Sequence, residues 1–341
     1  MLYRTLGKSD LKASVIGLGT AQFGSKVWGY GTQYSKKDAI KITHTALECG
    51  INTFDTAEIY SDNQSEIILG EALKDYNRED FIIITKAAPW NLRRDKLLKA
   101  AKASLKRLDT DSIDLYLVHY PNPFVSIRET FEEMEYLVEE NIIRYVGVSN
   151  FPSFLVSKAQ NVLSSSEIIA NEIEYNLLCK KEEKKTIPYC KEQEISIITH
   201  SPLTRGVLTG RYSSNKPPTD RARAFYPYAK TNFLKKAQPL FDILDDIAKE
   251  KDVSRVQVAL AYIIKDPLFI SIPAAMNERE VKENAEVTNI KLSNEEILRI
   301  NNACVSLNII NYFINYYLIW PFSWMKGTID SYLHKKNGFE L

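Results

Sequence analysis

The sequence predicts an α/β fold, a (β/α)8 TIM barrel with a short N-terminal β-hairpin and an aromatic-rich C-terminal extension. Three observations predict it. Eight short apolar segments begin near positions 15, 52, 81, 113, 144, 168, 195 and 268. Several of them, such as those at 81–85 and 113–118, are near-continuous apolar runs, the pattern of strands buried on both faces of a parallel sheet. Helical stretches alternate with them, and eight such units is the number that closes a barrel. A doubly wound open sheet would need a third glycine and a helix start after Gly17-Leu-Gly19, and the sequence has neither.

Taken in order, residues 3–11 alternate polar and apolar around Gly7 and Asp10, which predicts a small hairpin. Residues 13–20 form the first strand, and a glycine-rich loop at 24–31 carries Trp28 and Tyr30. Ser35 is placed to cap a helix, with Asp38 completing a capping box and Gly50 suited to the left-handed residue at its end. Helices are then predicted at 65–75, 93–107, 127–140, 152–163, 181–193, 239–251 and 255–265. Residues 203–238 break the rhythm as a long loop rich in Pro, Arg and Tyr, and long loops on a barrel's catalytic face shape sites. The barrel is expected to occupy 1–307 and the extension 308–341. That tail is dense in aromatics but interrupted by Asn311, Asn315 and Pro321, so packing on the barrel or an oligomer contact is expected, not membrane association.

The 44 basic and 43 acidic residues nearly cancel, which argues against a nucleic-acid partner. Cys49, Cys179, Cys190 and Cys304 show no CxxC spacing, and the N-terminus lacks the apolar core of a signal peptide. A cytoplasmic protein with reduced thiols is expected, and no metal site.

Three consecutive strands end in polar residues: Asp55, Lys86 and His119, with Tyr60 five residues after the first. In a parallel barrel the carboxyl ends of the strands face one site, so these four groups should converge. A phenol is a poor acid at neutral pH, and a neighbouring ammonium should lower its pKa. Asp55 would hold Lys86, and His119 could hydrogen-bond a substrate carbonyl. The set supplies a proton but no nucleophile, so it suits carbonyl reduction with hydride from a bound cofactor.

The motifs Gly17-Leu-Gly-Thr20, Phe54-Asp-Thr-Ala-Glu-Ile-Tyr60, Ser65-Glu66, Leu69-Gly70, Thr85-Lys86, Leu117-Val-His119, Gly147-Val-Ser-Asn-Phe151, Glu174-Tyr-Asn176 and Ser201-Pro-Leu203 occur in this order. With Ile272-Pro273 and Glu283-Asn284, they identify a resemblance to the aldo-keto reductases across roughly residues 3–300. The resemblance implies that Tyr60 is the proton donor, tuned by Asp55 and Lys86, with His119 orienting the carbonyl. It implies nicotinamide contacts from Ser149 and Asn150, joined by Glu172, His200 and Ser201, with Gly19, Thr20 and Asp55 alongside. Leu203, Arg205, Gly206 and Leu208 would serve the pyrophosphate and adenosine end from one loop. Ala274, Met276, Asn277, Glu280, Glu283 and Asn284 would serve it from another.

Three positions depart from the family's pattern. Glu172 replaces a usual glutamine, and if ionised it would favour the oxidised, cationic nicotinamide. His200 replaces a stacking aromatic ring. Met276 and Glu280 stand where a base for the 2′-phosphate of NADP is expected, with Arg279 one place off, so NADP(H) is expected first and NAD(H) second. Trp28 and Trp90, with Tyr60 and His119, are expected to line the substrate pocket, helped by Phe225, Tyr226 and Tyr228. The partner is then a small carbonyl or alcohol. A cofactor-binding regulatory subunit, as the family's potassium-channel β-subunits illustrate, is the alternative. A hydrolase is not supported, for want of a nucleophile or metal cluster.

Overall fold

The structure, a computed structural model, describes residues 1–306 apart from 221, 224 and 225. The aromatic tail at 308–341 and Phe225 therefore lie outside the described residues.

An antiparallel hairpin comes first, β1 (Tyr3–Thr5) with β2 (Lys12–Ser14). Eight parallel strands follow in sequence order around one sheet. They are β3 (Leu18–Gly19), β4 (Thr53–Asp55), β5 (Ile82–Ala87), β6 (Ile113–Val118), β7 (Ile143–Ser149), β8 (Ile168–Glu174), β9 (Ser196–His200) and β10 (Phe269–Ser271). The sheet closes on itself. Ile16 bridges Ser271 in parallel, Gly17 N–H donates to Ser271 O at 2.8 Å, and Ser271 N–H donates to Val15 O at 2.9 Å. Gly19 completes the seam, since a Cβ there would come within 2.8 Å of Ile272 O.

Helices alternate with the strands: α1 (Lys36–Glu48), α2 (Gln64–Leu73), α3 (Arg94–Leu108), α4 (Ile127–Glu139), α5 (Ser153–Gln160) and α6 (Thr186–Glu192). After β9 come α7 (Thr231–Lys251) and α8 (Arg255–Ile264), and after β10 come α9 (Glu278–Glu286) and α10 (Asn294–Ser306). Ser35 and Asp38 do form a capping box, and Gly50 follows α1 at φ 79°.

The structure corrects two helix boundaries. α7 begins at Thr231, not at 239, and carries Pro239 inside it. An interior proline costs a helix roughly 3 kcal/mol. Here the apolar stripe Phe233, Leu234, Ala237, Leu240 and Phe241, all buried on one face, outweighs that cost. Glu283 and Asn284 belong to α9, whose N-cap Asn277 accepts from Glu280 N–H at 3.0 Å, and not to a loop.

The inward residues of the barrel follow the two-residue period of a strand. Ile82 and Ile84, Leu115 and Leu117, Ala170, Ile198, and Ile270 and Ile272 form one buried cluster. Leu6, Leu11 and Ala13 of the hairpin join it from below. Two residues beyond the last apolar member come Lys86, His119, Glu172, His200 and Ala274. The same period that fills the barrel with aliphatics thus delivers a polar layer at its carboxyl end.

Candidate active site

A cleft of about 1820 Å³ opens over that polar layer. Of the residues expected from sequence, Asp55, Tyr60, His119, Glu172, His200 and Trp28 line its reactive end. Gly19, Ser201, Leu203, Arg205, Gly206, Ala274, Met276, Asn277, Glu280, Glu283 and Asn284 line it elsewhere.

Lys86 lies just beneath the cleft, fully buried. Its Nζ is 2.5 Å from Asp55 Oδ2 and donates to Thr56 O at 2.8 Å. It is also 3.2 Å from Glu172 Oε2, an ion pair without hydrogen-bond alignment. Burial disfavours this ammonium, but the Asp55 and Glu172 carboxyl groups outweigh it and hold the lysine protonated above its ordinary range.

Tyr60 sits 5.2 Å, ring centroid to Nζ, from Lys86 and 5.6 Å edge-on from the His119 ring. Three residues with left-handed backbone follow it: Ser61, Asp62 and Asn63. The phenol's pKa is raised, not lowered as expected. Burial raises it most; Lys86 acts in the expected direction, but Asp55 and Glu172 offset the ammonium. His119 stacks on Tyr120 at 5.0 Å and 16°. Burial, then Lys86 and His200, push its pKa well down, so it is a neutral imidazole. Its Nδ1 is buried without a hydrogen-bond partner among the described residues.

Asn150, at φ 60°, links the neighbouring groups: its amide donates to His119 O at 3.2 Å and to Ser149 Oγ at 2.9 Å. Its Oδ1 lies 3.2 Å from His200 Nε2. Burial lowers the His200 pKa to about 4, leaving a flat neutral ring at the wall of the cleft.

Other expected residues lie elsewhere. Leu208 is buried in the core against α7, because its loop turns back through the left-handed residues Arg205 and Gly206. Thr20 is buried, bonding Asp55 O at 2.8 Å. Ser149 is buried behind the cleft wall, and Trp90 is 43% exposed outside the cleft. Tyr228 packs in the core, while Tyr226 meets the cleft with its hydroxyl donating to Glu174 at 2.9 Å.

Sequence reasoning missed Arg211 and Arg223. Arg223 donates to Arg205 O at 2.6 Å and lies 5.0 Å over Trp28, joining the long loop to the glycine-rich one. Arg211 pairs with Glu280 at 3.2 Å across the cleft. The arginine-rich composition of 203–238 was the available signal.

The barrel thus sets a phenol, a buried ammonium with two carboxyls and two neutral imidazoles at the floor of one cleft. Comparison with known proteins identifies the family. Residues 15–304 match the model of the aldo/keto reductase family. The aldo-keto reductase YhdN of Bacillus subtilis is 33% identical over 313 residues, covering 88% of this chain and 93% of that protein. A probable voltage-gated potassium channel subunit beta of Arabidopsis thaliana is 31% identical over 308 residues, covering 85% of this chain and 92% of it. The crystal structure of an aldo-keto reductase from Klebsiella pneumoniae in complex with NADPH superposes with TM-score 0.73 at 25% identity, over 89% of this chain and 95% of that one. The chain belongs to the aldo/keto reductase family.

Among the described residues, no helix is long and apolar enough to cross a membrane.

Proposed function

We propose that this protein reduces a small aldehyde or ketone to its alcohol, or runs the reverse reaction, with Tyr60 giving or taking the proton. One observation carries the reading: Asp55, Lys86, Tyr60 and His119, from three strands and a turn, meet at the floor of one cleft.

The cleft suits a dinucleotide such as NADP(H), the partner in the Klebsiella structure. It is large, and Arg205, Arg211, Arg223 and Arg279 line its outer part. Gly206, at φ 90°, follows the left-handed Thr204 and Arg205 in the turn that lines this part. When bound, the nicotinamide supplies or accepts the hydride. Neutral His119 donates to or orients the carbonyl oxygen, and Tyr60, held as a phenol, protonates it. Lys86 then steadies the phenolate that remains.

The adenosine end bears on cofactor choice. Glu280 does not project freely at an incoming phosphate: it is held by Arg211 and accepts from Met276 N–H at 2.9 Å. Exposed Arg279 lines the same region, so we place NADP(H) ahead of NAD(H). The four cysteines, none in a disulfide, suit a reducing compartment, and we place the protein in the cytoplasm.

The deciding experiment is single-turnover oxidation of NADPH and of NADH with a reactive aldehyde, in wild type and Tyr60→Phe. Turnover in wild type that drops about 10²–10⁴-fold in the variant supports the reading. Tight cofactor binding with no turnover across a range of aldehydes would instead favour a regulatory role, the kind named for the Arabidopsis relative.

A further inference from the structure

We propose that Asp55 and Glu172 share one proton around the Lys86 ammonium, and that the positive charge of an oxidised nicotinamide cofactor drives this proton out. The inference rests on the cofactor reading above and adds a role for Glu172.

The geometry is a charge count. Lys86 Nζ touches two carboxyls, at 2.5 Å and 3.2 Å, and all three side chains are at most 3% exposed. One ammonium balances one carboxylate. A second ionised carboxylate would leave an uncompensated charge in the barrel interior, which proteins avoid by retaining a proton. The two carboxyls thus meet at one ammonium, while Glu172 Oε2 has no hydrogen-bond partner among the described residues.

Other facing groups do not supply the missing charge. Tyr60, after β4, is a phenol, and His119 just past β6 and His200 at the end of β9 are neutral. Ser149 and Asn150 at the end of β7 carry no charge, and Tyr120 stays protonated. Glu174, further along β8, is engaged by Tyr226, and Arg205 lies 4.4 Å over the Tyr226 ring. Consistent with this count, burial and then Asp55 push the Glu172 pKa well up, against Lys86.

Glu172 and Asp55 line the cleft floor with Tyr60 and His119, so a cationic ring brought there to exchange hydride adds a second positive charge beside the pair. Both carboxyls then ionise. One O–H bond breaks, the proton passes to solvent, and nothing is oxidised or reduced in the step. The neutral reduced cofactor leaves the pair protonated. By linkage, affinity for the oxidised form should rise up to about tenfold per pH unit, while affinity for the reduced form stays flat.

The test counts protons by titration calorimetry of the full chain in two buffers of different ionisation enthalpy, with NADP+ and NADPH and with NAD+ and NADH. Protons released at the phosphate end cancel between oxidised and reduced forms. Wild type should release up to about one proton more with the oxidised form, and Glu172→Gln none. Equal release in wild type overturns the proposal, as does an excess that persists in Glu172→Gln, which would place the proton on Tyr60 or a histidine. Failure of both forms to bind overturns the cofactor reading itself, whereas binding with equal release overturns only the shared proton. Should Glu172→Gln not fold, infrared difference spectra of wild type decide. Oxidised cofactor must remove a protonated-carboxyl C=O band, and an unchanged band overturns the proposal.

Discussion

Lys86 holds two relations at once: it neutralises buried carboxyls below and opposes the rise in the Tyr60 pKa above. Lys86→Met should therefore lower the reaction rate by about 10²–10⁴-fold. It should also cost about 3–5 kcal/mol of stability, because Asp55 and Glu172 lose their counter-charge. The pH dependence has a definite sign. Without the ammonium both carboxyls are protonated in the folded state and ionise in the unfolded one near about pH 4. The folded state then binds more protons, so the variant's deficit should widen as pH rises above that value. Urea unfolding of both proteins at an acidic and an alkaline pH would show it. A deficit that shrinks with pH would mean the carboxyls stay ionised in the variant. At this scale the sequence conveyed Asp55, Lys86 and His119, because each ends a readable apolar run, and Tyr60 through its place on the first connection. It could not convey that Glu172 reaches Lys86, since the direction of that side chain depends on how β8 pairs with β7 and β9.

At the scale of elements, strands and glycine punctuation were legible because period and backbone demand act locally. Ser35 and Gly50 flank α1 as their chemistry requires. Pro239 misled the reading for the opposite reason: its local cost is real, but the core on which α7 packs is assembled from distant segments. Leu208 likewise read as a site residue, although its loop turns it into that same core. A second long-range device joins α4 to the turn before β8. Glu135 accepts N–H bonds from Ser164 at 2.9 Å, Ser165 at 2.7 Å and Ser166 at 3.0 Å. Although burial opposes it, these bonds bring the Glu135 pKa down to about 2. Glu135→Gln should cost about 1–3 kcal/mol, since hydrogen bonds to a charged acceptor are the stronger kind. A depressed carboxylate pKa stabilises above its unfolded value and loses that effect as pH falls toward the folded one. The difference between wild type and variant should thus be full at neutral pH and shrink on acidification from about pH 4. Paired thermal melts across that range would test it, and a difference independent of pH would assign the effect to packing.

For the whole molecule, the barrel separates stability from chemistry along its axis. Polar groups occupy the carboxyl end, and the hairpin closes the other. Leu6 is fully buried in the aliphatic cluster, and Gly7 N–H donates to Ser196 Oγ at 2.8 Å near the start of β9. The fit there is close: a Cβ on Gly7, at φ 48°, would stand 2.4 Å from Ile169 O. Leu6 shares its cluster with Ile82, Leu115, Ile198 and Ile270, and at least one aliphatic layer lies between it and Lys86 or His119. Leu6→Ala should therefore cost about 2–5 kcal/mol, the range for a large-to-small change that leaves a cavity among rigid neighbours. The cleft should not register the loss, because its walls are set by strand ends and by loops tied to one another through Arg223 and Arg211. The comparison is urea unfolding beside the dissociation constant for NADPH, in wild type and Leu6→Ala, at a temperature where both remain folded. Lower stability with unchanged affinity is the expected pair of results. A matching loss of affinity would show that the plug and the polar layer shift together, so that the hairpin belongs to the site's architecture and not to the barrel's alone.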